Sequence, residues 1–446
     1  MTHRYRTSWM ITLGAISLAT GAARAMPLCA QEFAPPDPSS IDANVVRRVI
    51  SVLAHDDMRG RRAFTEDAER AAAFLADEFA AAGLDRLPRL EGFLQRFAMY
   101  SLQTDSSRVV VDGEALAEDK VLVRASGQSL SWSTGDAPVV VVGPGDNPQE
   151  KVFPLLQGGG SALILMHPQH QGTFTNLARF FGGPSRSLEV GGGDALVLAL
   201  VDASENSSYE VEVSARVSEE PLMNVVGMIP GRRTDEFVLF SAHYDHIGIR
   251  PAVAGDSIAN GANDDASGTT AVVALARYFA QRGTPERTLL FAAFTAEEGG
   301  GYGSRHFSTQ LDPDQIVAMF NIEMIGKPAV EGPNTAWITG FERSDFGALL
   351  QEAVAGTEYS FYADPYVNQN LFYRSDNATL ARLGVPAHSI STTPIDVDRD
   401  YHQVSDHVET LDLAHLTNTI RAIAMGAERI VTGDATPTRV DPATVN

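Results

Sequence analysis

Imidazoles and carboxylates stand where apolar runs end in the second half of this chain, and no thiolate lies near them. His243 and Asp245 follow FVLFSA. Asn263, Asp264 and Asp265 fill the next loop, just ahead of a helical stretch. Glu297 and Glu298 end RTLLFAAFTA, Glu323 ends IVAMFNI, and His402 comes from a late loop. Singly, each has an ordinary reading: a structural histidine at a strand end, a helix cap at Asp264-Asp265, a solvated pair at Glu297-Glu298. Together, at successive run ends, they crowd too many like charges into one crevice unless cations neutralise them. The N/O donor set suits zinc first, with manganese and cobalt as second choices. If two ions share it, one carboxylate must bridge them across ~3.5–4 Å.

The elements that must position these residues follow from pattern. Strand-like and helix-like stretches alternate from Pro221 onward: the strand before His243, a helix after Ser267, the strand before Glu297, a short helix near Ser304 and the strand before Glu323. Helices over 344–355, 377–383 and 413–431 and a strand over 387–391 complete the series. Such alternation predicts an α/β fold with a mixed, largely parallel sheet covered by helices on both faces. In sheets of this kind ligands bind outside the carboxyl ends of the strands, where the polar residues stand. Upstream, 41–54 and 66–83 read as helices, the second stopping at Gly83. Between 96 and 218 the texture changes to short β-rich runs broken by glycine triplets, which predicts a smaller, mostly β inserted domain. The triplets lack the strand, turn and helix context of a dinucleotide fingerprint and read as loops.

Six motifs, in order, carry a resemblance: SAHYDHIG (241–248), GANDDASG (261–268), FTAEEGGGYGS (294–304), NIEMIG (321–326), RSDN with GVPA (374–377 and 384–387), and YH (401–402). The chain resembles the M28 family of zinc metallopeptidases over roughly 220–430. The early helices complete the same domain, and the 96–218 insertion is similar to a protease-associated domain. The resemblance implies two Zn2+ ions per chain, one held by His243 and Glu323, the other by Glu298 and His402, with Asp264 bridging. It makes Glu297 the general base and leaves Asp265 a geometric role, the Asp264-Asp265 peptide often being cis in this family. Tyr401 resembles a tyrosine that polarises the scissile carbonyl, and Arg374 a substrate-contacting arginine. Asp245, two residues beyond His243 on an extended strand, is placed to take the imidazole's second N–H. Two departures stand out: Glu323 occupies a position usually held by Asp, and Asn377 replaces the His of an S-D-H motif. His246, His306, His407 and His415 receive no role.

The implied reaction is hydrolysis at a peptide or protein N-terminus. A carboxypeptidase, a glutaminyl cyclase-type acyltransferase with a single zinc, and a non-catalytic binding protein are the alternatives. The retained His243 favours hydrolysis over cyclisation. Composition narrows the partners: 34 Lys and Arg against 56 Asp and Glu, a net charge of −22, disfavours nucleic acid and anionic membranes. Residues 1–25 resemble a signal peptide, with an Arg-led apolar run too short to span a bilayer and an Ala-Arg-Ala cleavage pattern, which implies a secreted or periplasmic protein. Cys29 is the only cysteine, so no intramolecular disulfide forms. The expected organisation is thus leader 1–25, spacer 26–40, helical part 41–95, insertion 96–218, catalytic domain 219–432 and tail 433–446.

Overall fold

The computed structural model describes residues 32–158, 160–191 and 195–445. The expected leader and Cys29 lie outside them. Four consecutive parallel neighbours form the heart of an eleven-stranded sheet: Ala387–Ser391, Ile316–Ile322, Arg233–His243 and Arg287–Phe294, in that spatial order. These strands are apolar on both faces, as strands covered twice must be, and all eight residues of Arg287–Phe294 are buried. On one side of this group Thr335–Ile338 pairs antiparallel with Ala387–Ser391 and parallel with Ser360–Ala363. On the other, Tyr209–Ile229 pairs antiparallel with Arg287–Phe294. The sheet is therefore mixed, as expected, although neither Thr335–Ile338 nor Ser360–Ala363 was legible in the sequence.

Helices cover both faces. Gly268–Ala280 has no polar stripe and is buried almost all round, because it lies between the sheet and the amphipathic helices Ala43–Leu53 and Glu66–Ala82. The last helix, Leu413–Val431, joins the same core and starts where Asp412 accepts the N–H groups of Ala414 and His415. The opposite face packs Leu239, Leu290, Phe294 and Met319 against Phe307 of the helix Tyr302–Ser308 and Leu380 of Asn377–Ala381. Gly268 is required where the central helix meets the sheet. A Cβ there would sit 2.0 Å from the Ile322 carbonyl oxygen and 2.6 Å from the Asp265 carboxylate.

Two long strands, Leu94–Val111 and Tyr209–Ile229, form an antiparallel ribbon that begins in the main sheet and runs out into the insertion. Beyond it stands a four-stranded sheet ordered Val121–Ala125, Ala195–Leu200, Ala162–Met166 and Val139–Val142. The insertion also carries two helices, Pro148–Gly158 and Gln171–Phe181, which the sequence pattern did not reveal. Among the described residues no helix is long and apolar enough to cross a membrane.

One residue ties the early helices to the strand ends. Arg61 is fully buried, and its guanidinium donates to the carbonyls of Tyr244 (2.7 Å), Leu53 and Asn260 (2.6 Å each) and Gly261 (2.9 Å). Burial lowers its pKa to about 10, with Asp406, Asp245, Asp264 and Asp265 pulling the other way, so it remains a cation at neutral pH. Replacing it takes a donor from four buried carbonyls, of which Gly261 keeps the N–H of Ala266. Arg61→Met is expected to cost roughly 3–5 kcal/mol of unfolding free energy in denaturant titration, and Arg61→Lys, with fewer donors in a different geometry, to recover only part of it.

Candidate functional site

All five expected metal ligands meet at the carboxyl ends of the parallel strands. His243 is the last residue of its strand and is buried. Its Nε2 lies 3.2 Å from Asp264 Oδ1 and 3.7 Å from Glu323 Oε1. The other oxygen of Asp264, Oδ2, lies 3.2 Å from His402 Nε2, which is also 3.2 Å from Glu298 Oε2. Asp264 thus presents one oxygen to each of two groups, the disposition a bridging carboxylate needs. The buried His243 Nε2 has no hydrogen-bond partner, which fits an atom reserved for an ion.

The electrostatics are those of crowded charge. Burial and the neighbouring carboxylates of Glu323, Asp376 and Glu298 hold the Glu297 carboxyl well above its ordinary range, against the pull of His243. Burial would raise Asp264 as well, yet its contacts with His243 and His402 take it well below the usual range. His402 is pushed up to about 10 by Asp264 and Glu298, which override its burial. A divalent cation would replace the protons on which such a cluster otherwise depends. The residues therefore fit a metal in two places: His243, Asp264 and Glu323 form one group of potential ligands, and Asp264 and Glu298 belong to the other.

Other residues hold these side chains in place. The Asp264-Asp265 peptide is cis. The Asp265 carboxylate accepts the backbone N–H groups of His243 (3.3 Å), Gly268 (3.0 Å) and Met324 (3.0 Å), so it fastens two strand ends to one helix start. Asp406, to which the sequence reading gave no role, accepts the N–H groups of Asn263 and Asp264. Asn321 donates to Ser375 and Ser389, and Ser375 in turn donates to Glu323 Oε2. Asn377 accepts from Ser389 in the same buried network, so at this position an amide does structural work. Lys327 binds Asp398 at 2.5 Å and Asp400 at 2.8 Å and thereby pins the loop that carries His402.

The expectation for Asp245 needs correction. The chain leaves the strand at His243, and it is the backbone carbonyl of Asp245 that lies 3.0 Å from His243 Nδ1. The carboxylate stands 3.9 Å from that nitrogen and instead accepts the backbone N–H of Glu297 at 3.1 Å. Asp245 therefore orients both residues, one by its main chain and the other by its side chain. Tyr401 stacks on the His402 ring at 4.0 Å, and Arg374 donates to its hydroxyl at 3.2 Å. Both residues line the cleft that opens over Glu297, Glu298 and His402. Burial keeps the phenol protonated well beyond its usual range.

Of the histidines left without a role, His306 stacks on Phe97 and His407 pairs with Asp256. His246 differs. It is buried, with Nδ1 2.8 Å from Glu298 Oε1 and 3.8 Å from Asp264 Oδ2. The HYDH run was the available signal, but spacing alone does not say where a residue three places past a strand end will point.

The family model for peptidase family M28 matches residues 224–427. This segment belongs to peptidase family M28. It holds all five expected ligands, together with His246 and Glu297. A leucine aminopeptidase 1 of Penicillium rubens is 27% identical over 236 residues, 49% of this chain and 59% of that protein. One of Ajellomyces dermatitidis is 29% identical over 209 residues, 43% of this chain and 52% of that protein. The chain thus spans little more than half the length of these curated relatives. Among solved structures, the aminopeptidase from Aneurinibacillus sp. strain AM-1 is similar with a TM-score of 0.52 at 17% identity, covering 92% of this chain and 97% of that one. BSAP, a zinc aminopeptidase from Bacillus subtilis, gives 0.54 at 18% identity, covering 89% and 97%. At these identities the likeness is one of fold.

Because the Asp265 carboxylate bonds the backbone of His243 and of Met324, next to Glu323, rather than their side chains, its loss tests positioning apart from ligation. Asp265→Ala is expected to weaken metal retention ~10–100-fold while all five expected ligands remain, as measured by metal per chain after dialysis against a graded chelator.

Proposed function

We propose that the chain is an exported zinc-dependent aminopeptidase that releases single residues from the N-termini of peptides or proteins at a two-ion centre. The observation that carries this reading is the split of Asp264 between two ligand groups, with Glu297 left over: its Oε2 comes no nearer than 4.0 Å to His243 Nε2. His243 and Glu323 would hold one ion, Glu298 and His402 the other, and Asp264 both. Two zinc ions so held would lower the pKa of bound water and stabilise the oxyanion that forms on the scissile carbonyl.

The remaining steps belong to this chain's own residues. Glu297, its carboxyl raised by burial and by its acidic neighbours, takes a proton from the attacking water as the C–O bond forms, then passes it to the amine as the C–N bond breaks. Its backbone N–H is anchored on Asp245, so the side chain leaves a fixed point. Tyr401 keeps its proton and, oriented by Arg374, can donate to the carbonyl oxygen of the substrate. Beside Glu323 and Tyr401 a pocket partly walled by Met324, Trp337, Leu371 and Ile395 suits the side chain of the residue to be released. The family of the segment supports peptide hydrolysis, and the names of the relatives support the aminopeptidase reading. The leader-like first 25 residues support export.

The test is a panel of short peptides with free or blocked N-termini, incubated with zinc-loaded protein and read by mass spectrometry. Chelator-sensitive loss of single residues from free N-termini alone is expected; loss from C-termini, or only cyclised N-terminal glutamine, would overturn the reading. Glu297→Gln should keep its metal and lose nearly all turnover, at least ~100-fold in kcat. Tyr401→Phe should lower kcat with metal content unchanged; an equal loss of both would remove Tyr401 from the reaction.

A further inference from the structure

The two ligand groups that Asp264 joins are not equivalent, because a third imidazole stands against one of them. His246 is completely buried, and neither ring nitrogen has a hydrogen-bond partner. Its Nδ1 lies 2.8 Å from Glu298 Oε1, another buried atom without a hydrogen-bond partner. Atoms at that separation can share one cation as readily as one proton, the arrangement of neighbouring ligands around an ion. The same unpartnered state marks His243 Nε2 in the other group. Atoms of His246, Asp264 and Glu298 converge within a span that one ion can bridge.

The surroundings are shaped to hold the ring there. A Cβ on Gly261 would stand 2.5 Å from both Cγ and Cδ2 of His246, and the residue has a φ of 57°, so the loop leading into Asp264 needs a glycine at this position to admit the imidazole. From the other side the backbone N–H of His246 donates to the Arg61 carbonyl at 3.4 Å, so the ring is set from a chain segment anchored by the buried guanidinium. His402 approaches edge-on, ring centroid to ring centroid 5.8 Å. A structural histidine buried this deeply would be expected to bond a carbonyl or a hydroxyl, as His388 does with Thr339 and Ser344.

We propose that His246 is a metal ligand through Nδ1, in the position shared by Asp264, Glu298 and His402. This rests on the two-ion reading of the site and adds a residue to it. That position then draws on four side chains, whereas the His243 position draws on three. A more fully enclosed ion leaves more slowly, so the two metals should come off in sequence, the one at His243 and Glu323 first.

The test reads the metal itself. Apo protein is loaded with cobalt(II) and stripped with chelators of graded strength, following bound metal and its visible absorption, for the wild type, His246→Ala and His246→Asn. Asparagine places an amide close to where Nδ1 stands; it can hydrogen-bond Glu298 but is a poor ligand. The expected result is two-step release by the wild type, and in both variants a loss of ~100-fold or more in the affinity of one ion, beyond what an outer hydrogen-bond partner costs. The absorption of the remaining ion stays as it was. If the alanine variant proves unstable in the apo form, the asparagine variant carries the comparison. Wild-type affinity at both positions in His246→Asn would overturn the proposal and reduce His246 to a hydrogen-bond donor; unchanged affinities in both variants would reduce it to packing. Wild-type protein that binds no cobalt would overturn the two-ion reading and this proposal with it. Protein that binds two ions yet releases no N-terminal residue would overturn only the reaction, since the metal affinities still decide the place of His246.

Discussion

Mutual repulsion among carboxylates in one buried crevice is the constraint to which the rest of the molecule answers. Asp245, Asp264, Asp265, Glu297, Glu298, Glu323 and Asp406 gather at the carboxyl ends of the parallel strands, where low dielectric makes each unpaired charge costly. The fold sorts them into two kinds. Asp245, Asp265 and Asp406 point at backbone N–H groups and so serve as fasteners, spending their charge on holding loops to strand ends. Asp264, Glu298 and Glu323 face imidazoles, where their charge remains available to a cation, and Glu297 stands free beside them. Arg61 supplies a buried positive charge felt by Asp406, Asp245, Asp264 and Asp265.

This sorting explains which parts of the site could be read in advance. The meeting of His243, Asp264, Glu298, Glu323 and His402 in one cluster was legible because polar residues that follow apolar strands gather at the same sheet end, and run ends are visible in a sequence. The fasteners were less so. Asp245 was expected to face His243 with its carboxylate, but the chain bends after the strand and its main chain makes that contact instead. Arg61 and Asp406 act across about 180 and 140 residues of chain, and nothing local distinguishes a buried guanidinium from the exposed arginines around it. His246 was passed over for the same reason: its partners, Glu298 and Gly261, come from other loops.

The fold shows a similar division. The helix Leu413–Val431 and the strand Ala387–Ser391 were expected residue for residue, and the other three central strands from their apolar runs, though not to their ends. Thr335–Ile338 and Ser360–Ala363 are four residues each, too short for alternation to register, and exist because neighbours offer them a ladder. In the insertion, Pro148–Gly158 contains Pro154, which argues against a helix on local grounds, and the glycine-rich surroundings masked Gln171–Phe181 as well. Tertiary packing decided these segments.

The ribbon of Leu94–Val111 and Tyr209–Ile229 also has a meaning for how the chain assembles in time. Its far end pairs Val111 with Tyr209 inside the insertion, and its near end pairs Leu94 with Val225 beside the main sheet. A pairing so distant along the chain forms slowly when it must be found by chance encounter. An insertion that collapses first on its own four strands brings the far ends of the ribbon together, after which each further rung closes only a small additional loop. The segment that separates the early helices from the main sheet in sequence would then act as the starting point of a zipper, delivering the strand Tyr209–Ile229 to Arg287–Phe294, whose end leads to Glu297.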